Sequence, residues 1–277
     1  MTLGFAGHSS EILKRIKKGY LFAFDQDREV FTYSRNRLSA IGDNFELIHA
    51  NFSEAKEELL KRNVTKVDAI LYDLGVSSYQ LDNSERGFSY KANGPLDLRL
   101  DPTKGIPASE YLKTLSKWDI EHILSENSDE PYASEIAKTI DSYQKSGMTI
   151  DTTSLLYKII DKSLPHDSDS RRKDLINKTA ARVFQAIRIE VNQEFEVLYE
   201  FMDKLPTVLK PGGRAVILTF HSGEDRIVKK SFKEMKNLGI YSDVARNVIR
   251  PTSEECHRNP RAKSTKLRWA IKGCKEE

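Results

Sequence analysis

Short apolar runs alternate with amphipathic stretches along the first third of the chain. Residues 20–24, 45–49 and 67–72 are apolar runs of strand length. The stretches between them, residues 29–41 and 53–62, carry apolar side chains at helical spacing. Strands separated by helices are typical of βαβ units, so this pattern predicts a parallel sheet in an α/β domain.

One more helix is predicted over residues 8–18, before the first of these strands. Ser9 or Ser10 is its expected N-cap, because a serine hydroxyl can accept a hydrogen bond from a free backbone N–H of the first turn. Ile12, Leu13 and Ile16 would form its apolar face.

The middle of the chain, from about residue 109 to 163, shows helical patterns and no convincing strand. The polar run 166–174 is typical of an exposed loop. We therefore predict a helical insertion within a single α/β domain. The boundaries are residues 1–105 for the first part of the α/β domain, 106–178 for the insertion, and 179–277 for the second part with a basic C-terminal segment.

Strand and helix patterns alternate again after the insertion. One long amphipathic helix is predicted from residue 181 to about 208. A tight turn at residues 211–213 then leads into an apolar strand, and a helix follows at 226–237. Two later runs, residues 241–248 and 266–271, are candidates for a closing pair of strands.

Composition places the chain among globular proteins of a reducing compartment. It has 277 residues, 39% of them hydrophobic and 31% charged. No apolar run approaches the roughly 20 residues that span a bilayer, and the N-terminus has no signal-peptide pattern. The two cysteines, Cys256 and Cys274, indicate neither a disulfide framework nor a metal cluster. We predict a cytoplasmic protein without a metal site or a membrane partner.

The net charge of +3 conceals an asymmetry. From Arg226 onward there are 14 Lys and Arg against 6 Asp and Glu, whereas the preceding residues carry a net negative charge. A basic segment at one end of a chain is consistent with nucleic-acid binding. A solvated basic surface explains the same charge equally well.

Two features early in the chain suggest a nucleoside-type cofactor. Gly4 and Gly7 lie in a turn between strand and helix, where the backbone can approach a ligand, and Asp25 ends the next strand. An acid at that place can accept hydrogen bonds from ribose hydroxyls. The glycines are spaced more loosely than in a dinucleotide fingerprint, which favours a cofactor such as S-adenosylmethionine. A plain tight turn is the alternative.

Two other residues follow strands of the predicted sheet. Phe52 could stack on an adenine, or it could be an ordinary core residue that anchors its loop. Asp73 ends the strand at 67–72, where its carboxylate could orient an exocyclic amine, although a helix-capping aspartate would have the same position.

Two polar segments further along are also candidates for chemistry. Asp97 and Arg99 lie in a run of alternating charges that forms either an active-site loop or a salt-bridged surface turn. His221 follows the strand at 214–220, where a capping histidine is the simpler interpretation. Neither His8 nor His221 has the neighbours of a metal site or a catalytic triad.

Several motifs together resemble the bacterial RsmH (MraW) family. The most specific are DLGVSS at residues 73–78, ERGFSY at 85–90, GPLDLRLD at 94–101 and FHSGEDR at 220–226. The matching segments run in order across nearly the whole chain. The resemblance implies a class I methyltransferase sheet with a helical insertion. It also implies S-adenosylmethionine-dependent methylation of the N4 amine of a cytidine in the decoding region of 16S ribosomal RNA.

The resemblance assigns expected functions to particular residues. Those expected to bind the cofactor are Ala6, Gly7, His8, Asp25, Phe52, Asp73 and Gln80. Those expected to hold the cytidine, and so to be catalytic, are Asp73, Asp97, Arg99, His221 and Ser222. The basic composition adds candidate phosphate contacts, which are Arg171, Arg172, Arg261, Lys263, Lys266 and Arg268.

The sequence departs from the family pattern in three places. Tyr79 stands where the family usually has proline, and Gly223 stands where it usually has leucine. Family members also carry a further segment before Thr2, with a helix and the central first strand. We therefore expect a sheet that lacks a middle strand. An unpaired gap in a parallel sheet would reduce stability and activity.

Two alternatives to this enzyme remain. The first is a catalytically impaired homologue that acts only as an RNA-binding protein. The second is a methyltransferase of another amine, on DNA or protein, although such enzymes typically carry Asp/Asn-Pro-Pro-Tyr where this chain has Asp-Leu-Gly-Val. The small ribosomal subunit is the expected partner. The oligomeric state is open, with a homodimer as one alternative.

Overall fold

The computed structural model describes residues 2–165 and 169–274, which form two compact units. Unit 1 consists of Met1–Gly75 and Phe195–Glu277, and unit 2 is Val76–Glu194. The helical insertion is therefore wider at both ends than the predicted range 106–178.

Unit 1 contains an α/β arrangement of six described strands. The strands are β1 (Leu21–Asp25), β2 (Phe45–His49), β3 (Val67–Asp73), β4 (Leu209–Thr219), β5 (Tyr241–Val244) and β6 (Lys266–Lys272). β1 pairs with β2, and β3 pairs with β4, in parallel. β6 pairs antiparallel with both β4 and β5. The predicted parallel strands and the predicted closing pair are confirmed.

These strands form two sheets instead of one, with the orders β1-β2 and β3-β4-β6-β5. Thr2 bridges Phe24 of β1 in parallel, and the Asp73 N–H at the end of β3 donates to Thr2 Oγ1 over 2.9 Å. Among the described residues, β1 and β3 belong to different sheets, and Thr2 contacts the ends of both strands.

Helices accompany the strands of unit 1, and most of them bury an apolar face. They are α1 (Gly7–Leu13), α2 (Glu29–Ser39), α3 (Ala55–Leu60), α10 (Glu194–Val208), α11 (Ser222–Asn237) and α12 (Ser253–Arg258). On α10, Leu198, Phe201, Met202 and Leu205 recur at helical spacing, and all are buried in one cluster with β3 and β4. This packing fixes the positions of β3 and β4, whose ends carry the candidate site.

Unit 2 is helical and has its own core. Its helices are α4 (Ser78–Asp82), α5 (Ala108–Thr114), α6 (Lys117–Ser128), α7 (Ala133–Lys145), α8 (Thr153–Ser163) and α9 (Asp169–Val191). Phe88, Leu96 and Leu98 are buried in the same cluster as the apolar faces of α6 to α9. The segment before residue 106 therefore belongs to this unit, because its buried apolar side chains pack in the core of unit 2. The sequence pattern of this segment did not indicate the boundary.

Three predicted elements need correction. The helix expected over 181–208 is interrupted at Gln193, whose φ of 50° is left-handed, so α9 and α10 are separate. The loop expected at 166–174 is helical from Asp169, and residues 166–168 lie outside the described residues. Helix α1 begins at Gly7 with Ala6 as N-cap, so Ser9 and Ser10 are buried inside it.

Candidate active site

The turn before α1 contacts both acids that end strands in unit 1. The Gly4 N–H donates to Asp25 Oδ2 over 2.8 Å. Four residues later, His8 Nδ1 lies 3.3 Å from Asp73 Oδ2. Because parallel strands place their carboxyl ends at one edge of a sheet, this edge is where an α/β fold binds its ligands. The structure therefore brings the turn, Asp25 and Asp73 together.

The turn is held in a conformation that an alanine rarely adopts. Ala6 is fully buried and has a φ of 57°, in the left-handed region. Two side chains of α2 hold the residues before Ala6 in place. Ser34 Oγ donates to the Gly4 carbonyl over 2.8 Å, and Arg37 Nη1 donates to the Phe5 carbonyl over 3.0 Å. A strained, over-determined loop of this kind is typical of ligand sites.

Asp25 is a half-buried acid with remaining capacity to accept hydrogen bonds. Its carboxylate accepts from the backbone N–H groups of Gly4 and Asp27, over 2.8 and 3.0 Å. Burial raises the pKa of Asp25, although these N–H groups act in the opposite direction. A carboxylate offers about four lone-pair sites, so Asp25 can still accept from a hydroxyl group of a ligand.

Asp73 has a carboxylate oxygen that the described residues leave without a donor. Its Oδ1 is buried and makes no hydrogen bond to them, whereas Oδ2 faces His8. A buried acceptor without a partner costs free energy unless a ligand or water supplies a donor. The hydrogen bond to Asp73 raises the pKa of His8, because it stabilises the imidazolium form.

The segment after β4 lies at the same edge. β4 pairs Leu218 with Asp73, and a Cβ added at Gly75 would lie 3.6 Å from the ring of Phe220. The DLG and FHS motifs are therefore neighbours. Ser222, the first residue of α11, is exposed there.

His221 is the N-cap of α11, as the simpler interpretation of the sequence expected. Its Nδ1 accepts from the Glu224 N–H over 3.4 Å, and its Nε2 lies 3.2 Å from Glu224 Oε1. Glu224 is buried, and its Oε2 accepts from the Phe220 N–H over 2.8 Å. Sequence reasoning missed Glu224, although a Glu three residues after an N-cap is the mark of a capping box. The contact of His221 with a cytidine stays a prediction.

Phe52 is a core residue in this structure. Its ring stacks on Tyr72 with centroids 3.5 Å apart, and the Phe201 ring packs edge-on with its centroid 4.1 Å away. The core-anchoring alternative therefore describes the observed geometry. An adenine contact by Phe52 remains a prediction for the part of the ring that these neighbours leave uncovered.

Within unit 2, Gln80 belongs to the first turn of α4. Its Oε1 accepts from the Ser77 N–H over 2.8 Å, and its own N–H donates to Ser77 Oγ over 3.2 Å. This reciprocal pair is a capping box. Gln80 is buried, and its expected contact with the cofactor is not tested by these bonds.

Asp97 and Arg99 form a two-point ion pair inside their loop. Arg99 Nε donates to Asp97 Oδ1 over 2.8 Å, and Nη2 donates to Oδ2 over 2.7 Å. Leu98 between them is fully buried with a φ of 63°, so this loop is also held in the left-handed region. The ion pair and the buried leucine together make the loop rigid.

Asn192 holds this loop, and sequence reasoning missed it. Its Oδ1 accepts from the Leu100 N–H over 2.7 Å, and its Nδ2 donates to the Leu98 carbonyl over 2.8 Å. The amide therefore binds the peptide groups on both sides of Arg99. Because the sequence predicted a single helix continuing to about residue 208, nothing marked Asn192 as a residue that follows a helix end.

Two of the six candidate phosphate contacts, Arg172 and Arg268, form ion pairs within the chain. Arg268 is buried, and its guanidinium donates to both carboxylate oxygens of Asp225 over 2.7 and 3.0 Å. Arg172 donates to the Asp161 carboxylate and to the Pro165 carbonyl. We correct our prediction for these two, because their donors are used within the chain. Arg171, Arg261 and Lys263 are exposed, and Lys266 is half-buried.

The described residues hold neither a metal-ligand cluster nor a membrane-spanning helix. No group of three or more His, Cys, Asp or Glu side chains among them is placed to hold a metal ion. Every helix in that part of the chain is too short or too polar to cross a membrane.

Acids at the tips of parallel strands and a helical insertion fit the class I methyltransferase fold. The chain belongs to the MraW methylase family, whose model matches residues 1–273. A relative from Lachnoclostridium phytofermentans, named ribosomal RNA small subunit methyltransferase H 1, is 51% identical over 275 residues, covering 98% of this chain and 75% of the relative.

Two other relatives show the range of similarity. A protein of Agathobacter rectalis with the same name is 49% identical over 275 residues, covering 98% of this chain and 78% of the relative. Ribosomal RNA small subunit methyltransferase H from Finegoldia magna is 39% identical over 286 residues, covering 98% of this chain and 90% of the relative.

Proposed function

We propose that this protein transfers a methyl group from S-adenosylmethionine to the N4 amine of a cytidine in the decoding region of 16S ribosomal RNA. The names of the curated relatives, which specify ribosomal RNA of the small subunit, support the substrate class. The observation that carries the proposal is the buried Asp73 Oδ1 without a donor among the described residues, at the carboxyl edge of unit 1. A cytoplasmic location is part of the proposal.

The residues at this edge fit S-adenosylmethionine. Asp25 would accept hydrogen bonds from the ribose hydroxyls, since its carboxylate is already oriented by Gly4 and Asp27. The backbone of Ala6, Gly7 and His8 would line the methionine end, because the turn and the start of α1 lie against Asp25 and Asp73. When bound, the cofactor supplies a methyl group on a positively charged sulfur.

Asp73 is the residue that we assign to the reacting amine. The lone pair of a cytosine N4 is delocalised into the ring, so the nitrogen is a weak nucleophile until one of its protons is drawn away. Asp73 Oδ1 would accept a hydrogen bond from this N–H and orient the lone pair, while His8 holds Oδ2. Most of the acceleration would come from positioning and from the fixed negative charge.

The substrate nucleotide has to leave its base stack to reach such a site. Ser222 and His221 at the end of β4 remain candidates for holding the cytidine. Asp97 and Arg99 remain candidates within unit 2, and Gln80 remains a candidate for the cofactor. The proposed contacts with RNA phosphates are Arg171, Arg261, Lys263 and Lys266.

The test uses the purified full chain with unmethylated 16S ribosomal RNA and S-adenosylmethionine. We expect N4-methylcytidine in the digested RNA and cofactor binding by calorimetry. Methylation at a different atom of the base would contradict the proposed chemistry. RNA binding by folded protein without any cofactor binding would support the non-catalytic alternative and reject the enzyme.

A further inference from the structure

Helix α11 carries a stripe of lysines that the described residues leave without acid partners. We propose that this stripe, Lys229, Lys230 and Lys233, binds the phosphate backbone of the substrate RNA; the inference rests on the proposed function. All three are exposed. Arg226, also exposed, precedes them by one turn of the helix. With Arg226 included, this basic face of the helix extends about 10 Å along the axis at 1.5 Å per residue.

The opposite face of α11 is apolar and buried. Ile227, Val228 and Phe232 are packed in the core with β4 and β5. This amphipathic arrangement fixes which side chains face outward, because α11 cannot rotate without exposing that core. The lysines are therefore held on one outward face.

The acids near the start of α11 do not neutralise the stripe. Glu224 is buried in the capping box, and Asp225 is occupied by Arg268 of β6. Glu234 is exposed, yet it forms no ion pair with the stripe in the described structure. The Asp225–Arg268 pair also joins α11 to β6, which explains what the buried arginine does.

Lysines elsewhere in the chain commonly have a carboxylate within ion-pair distance. Lys14, Lys61, Lys113 and Lys145 each pair with an acid three or four residues away, over 2.5 to 2.8 Å. Lys236, on α11 itself, pairs with Asp243 over 2.6 Å. The stripe is thus a local excess of positive charge, in contrast to the paired Lys236 on the same helix.

The position of the stripe favours RNA as the partner. α11 begins at Ser222, beside the candidate site, and Lys266 of β6 pairs with Thr219 at the same edge. Lysines are point charges that bind phosphate without reading bases, which suits a surface that positions a strand near the site. An acidic protein of the ribosomal subunit is the competing partner.

The test compares two triple variants of the full chain that remove equal charge. One is K229Q/K230Q/K233Q, and the control is K17Q/K18Q/K66Q. The control lysines are exposed and precede β1 and β3, at the amino ends of the strands. Glutamine keeps helix propensity close to that of lysine, and a thermal melt checks that both variants fold.

The measurement is the affinity for unmethylated 16S ribosomal RNA over a range of KCl concentrations. For the stripe variant we expect affinity at low salt to fall about 10- to 100-fold, and the slope of log K against log salt to decrease in magnitude by about 2. The control should stay near wild type. Equal losses in both variants, or no loss in either, would overturn the proposal.

A second arm measures binding to small ribosomal subunits. If the stripe variant binds naked RNA normally but loses affinity for subunits, the stripe contacts protein and the RNA proposal is wrong. Failure of the wild type to methylate would reject the proposed function instead, while the salt dependence of RNA binding would still test the stripe.

Discussion

Asp73 in unit 1 and Asp97 in unit 2 both lie in motifs that the sequence singled out, and their surroundings differ. Both oxygens of Asp97 accept from the guanidinium of Arg99, so its charge is neutralised by its own loop. Asp73 has Oδ2 near His8 and leaves Oδ1 buried without a donor from the described residues. The first acid stabilises a loop, and the second retains an acceptor.

The two regions share one feature, which makes the difference informative. Each contains a fully buried residue with an aliphatic side chain in the left-handed region, Ala6 in unit 1 and Leu98 in unit 2. Backbone strain therefore marks both loops and does not by itself identify the reacting group. The buried Oδ1 separates Asp73 from Asp97, whose two carboxylate oxygens both accept from Arg99.

The largest expected effect is on Asp73. D73N removes the charge and keeps the shape, so we expect methyl transfer to fall by about 10²- to 10⁴-fold, the usual contribution of a positioned acid–base group. Stability should change little, because Oδ1 has no donor to lose among the described residues. Initial rates with saturating RNA measure this.

The matched control is D68N. Asp68 lies on the same strand, is exposed, and pairs with Lys210 over 2.9 Å. Its activity should remain near wild type, since surface pairs contribute about 0–1 kcal/mol. If D73N retained activity within a few-fold of D68N, the difference between the two loops would have no catalytic meaning.

The next effect concerns the loop of unit 2. N192A removes an amide that bonds the peptide groups on both sides of Arg99, so we expect a loss of about 2–4 kcal/mol in the free energy of unfolding. Urea denaturation measures the loss, and faster hydrogen exchange at the Leu100 amide should accompany it.

N177A is the comparison variant on the same helix. Asn177 accepts one hydrogen bond, from the Tyr157 hydroxyl over 3.0 Å. We expect N177A to lower the free energy of unfolding by about 1 kcal/mol. Equal losses for the two asparagines would show that Asn192 does not hold the Arg99 loop in a special way.

A smaller effect is expected at Asp25. D25N should weaken S-adenosylmethionine binding about 10- to 100-fold, the value of losing a hydrogen bond to a charged acceptor. Because burial raises the pKa of Asp25, its charged form is disfavoured in the folded state. Asparagine has one acceptor oxygen where Asp25 uses both, for the Gly4 and Asp27 N–H groups, so D25N should also cost about 1–3 kcal/mol of stability.

Calorimetry for affinity and thermal melts for stability separate these effects at Asp25. D43N, at an exposed acid of the same unit, is the control for charge and should bind like wild type. A D25N protein that is strongly destabilised but binds the cofactor normally would assign Asp25 to folding alone.

The smallest effect is the ionisation of His8. The hydrogen bond to Asp73 raises the pKa of His8, so D73N should move it back down in an NMR titration. A raised folded pKa stabilises the fold fully below the unfolded value of about 6.5 and loses that contribution as pH rises through the folded pKa. The contribution is small, because His8 is half-exposed. An unchanged pKa in D73N would mean that the two side chains are not coupled.

The sequence predicted what local patterns determine. The strands of unit 1 were predicted from apolar runs. Asp25 and Asp73 directly follow two of these runs. Because parallel strands share one carboxyl edge, both acids were expected at that edge. The capping alternatives for His221 and the core alternative for Phe52 were also visible from residue type and position.

What the sequence could not predict depends on partners distant in the chain. Arg268 is buried because it pairs with Asp225, 43 residues away. Asn192 holds the Arg99 loop through hydrogen bonds to Leu100 and Leu98, which are 92 and 94 residues away. The break at Gln193 needs a left-handed residue that helical spacing does not reveal. The boundary at Val76 depends on where Phe88 and Leu96 pack.

The most direct test of the account maps N4-methylcytidine in 16S ribosomal RNA from cells that lack the gene and carry either the wild-type chain or D73N. We predict that the wild type restores N4-methylcytidine in the decoding region and that D73N does not, although both proteins accumulate equally. Equal restoration by D73N, or an unchanged signal when the gene is absent, would contradict the claim that the unpaired acceptor of Asp73 acts on this cytidine.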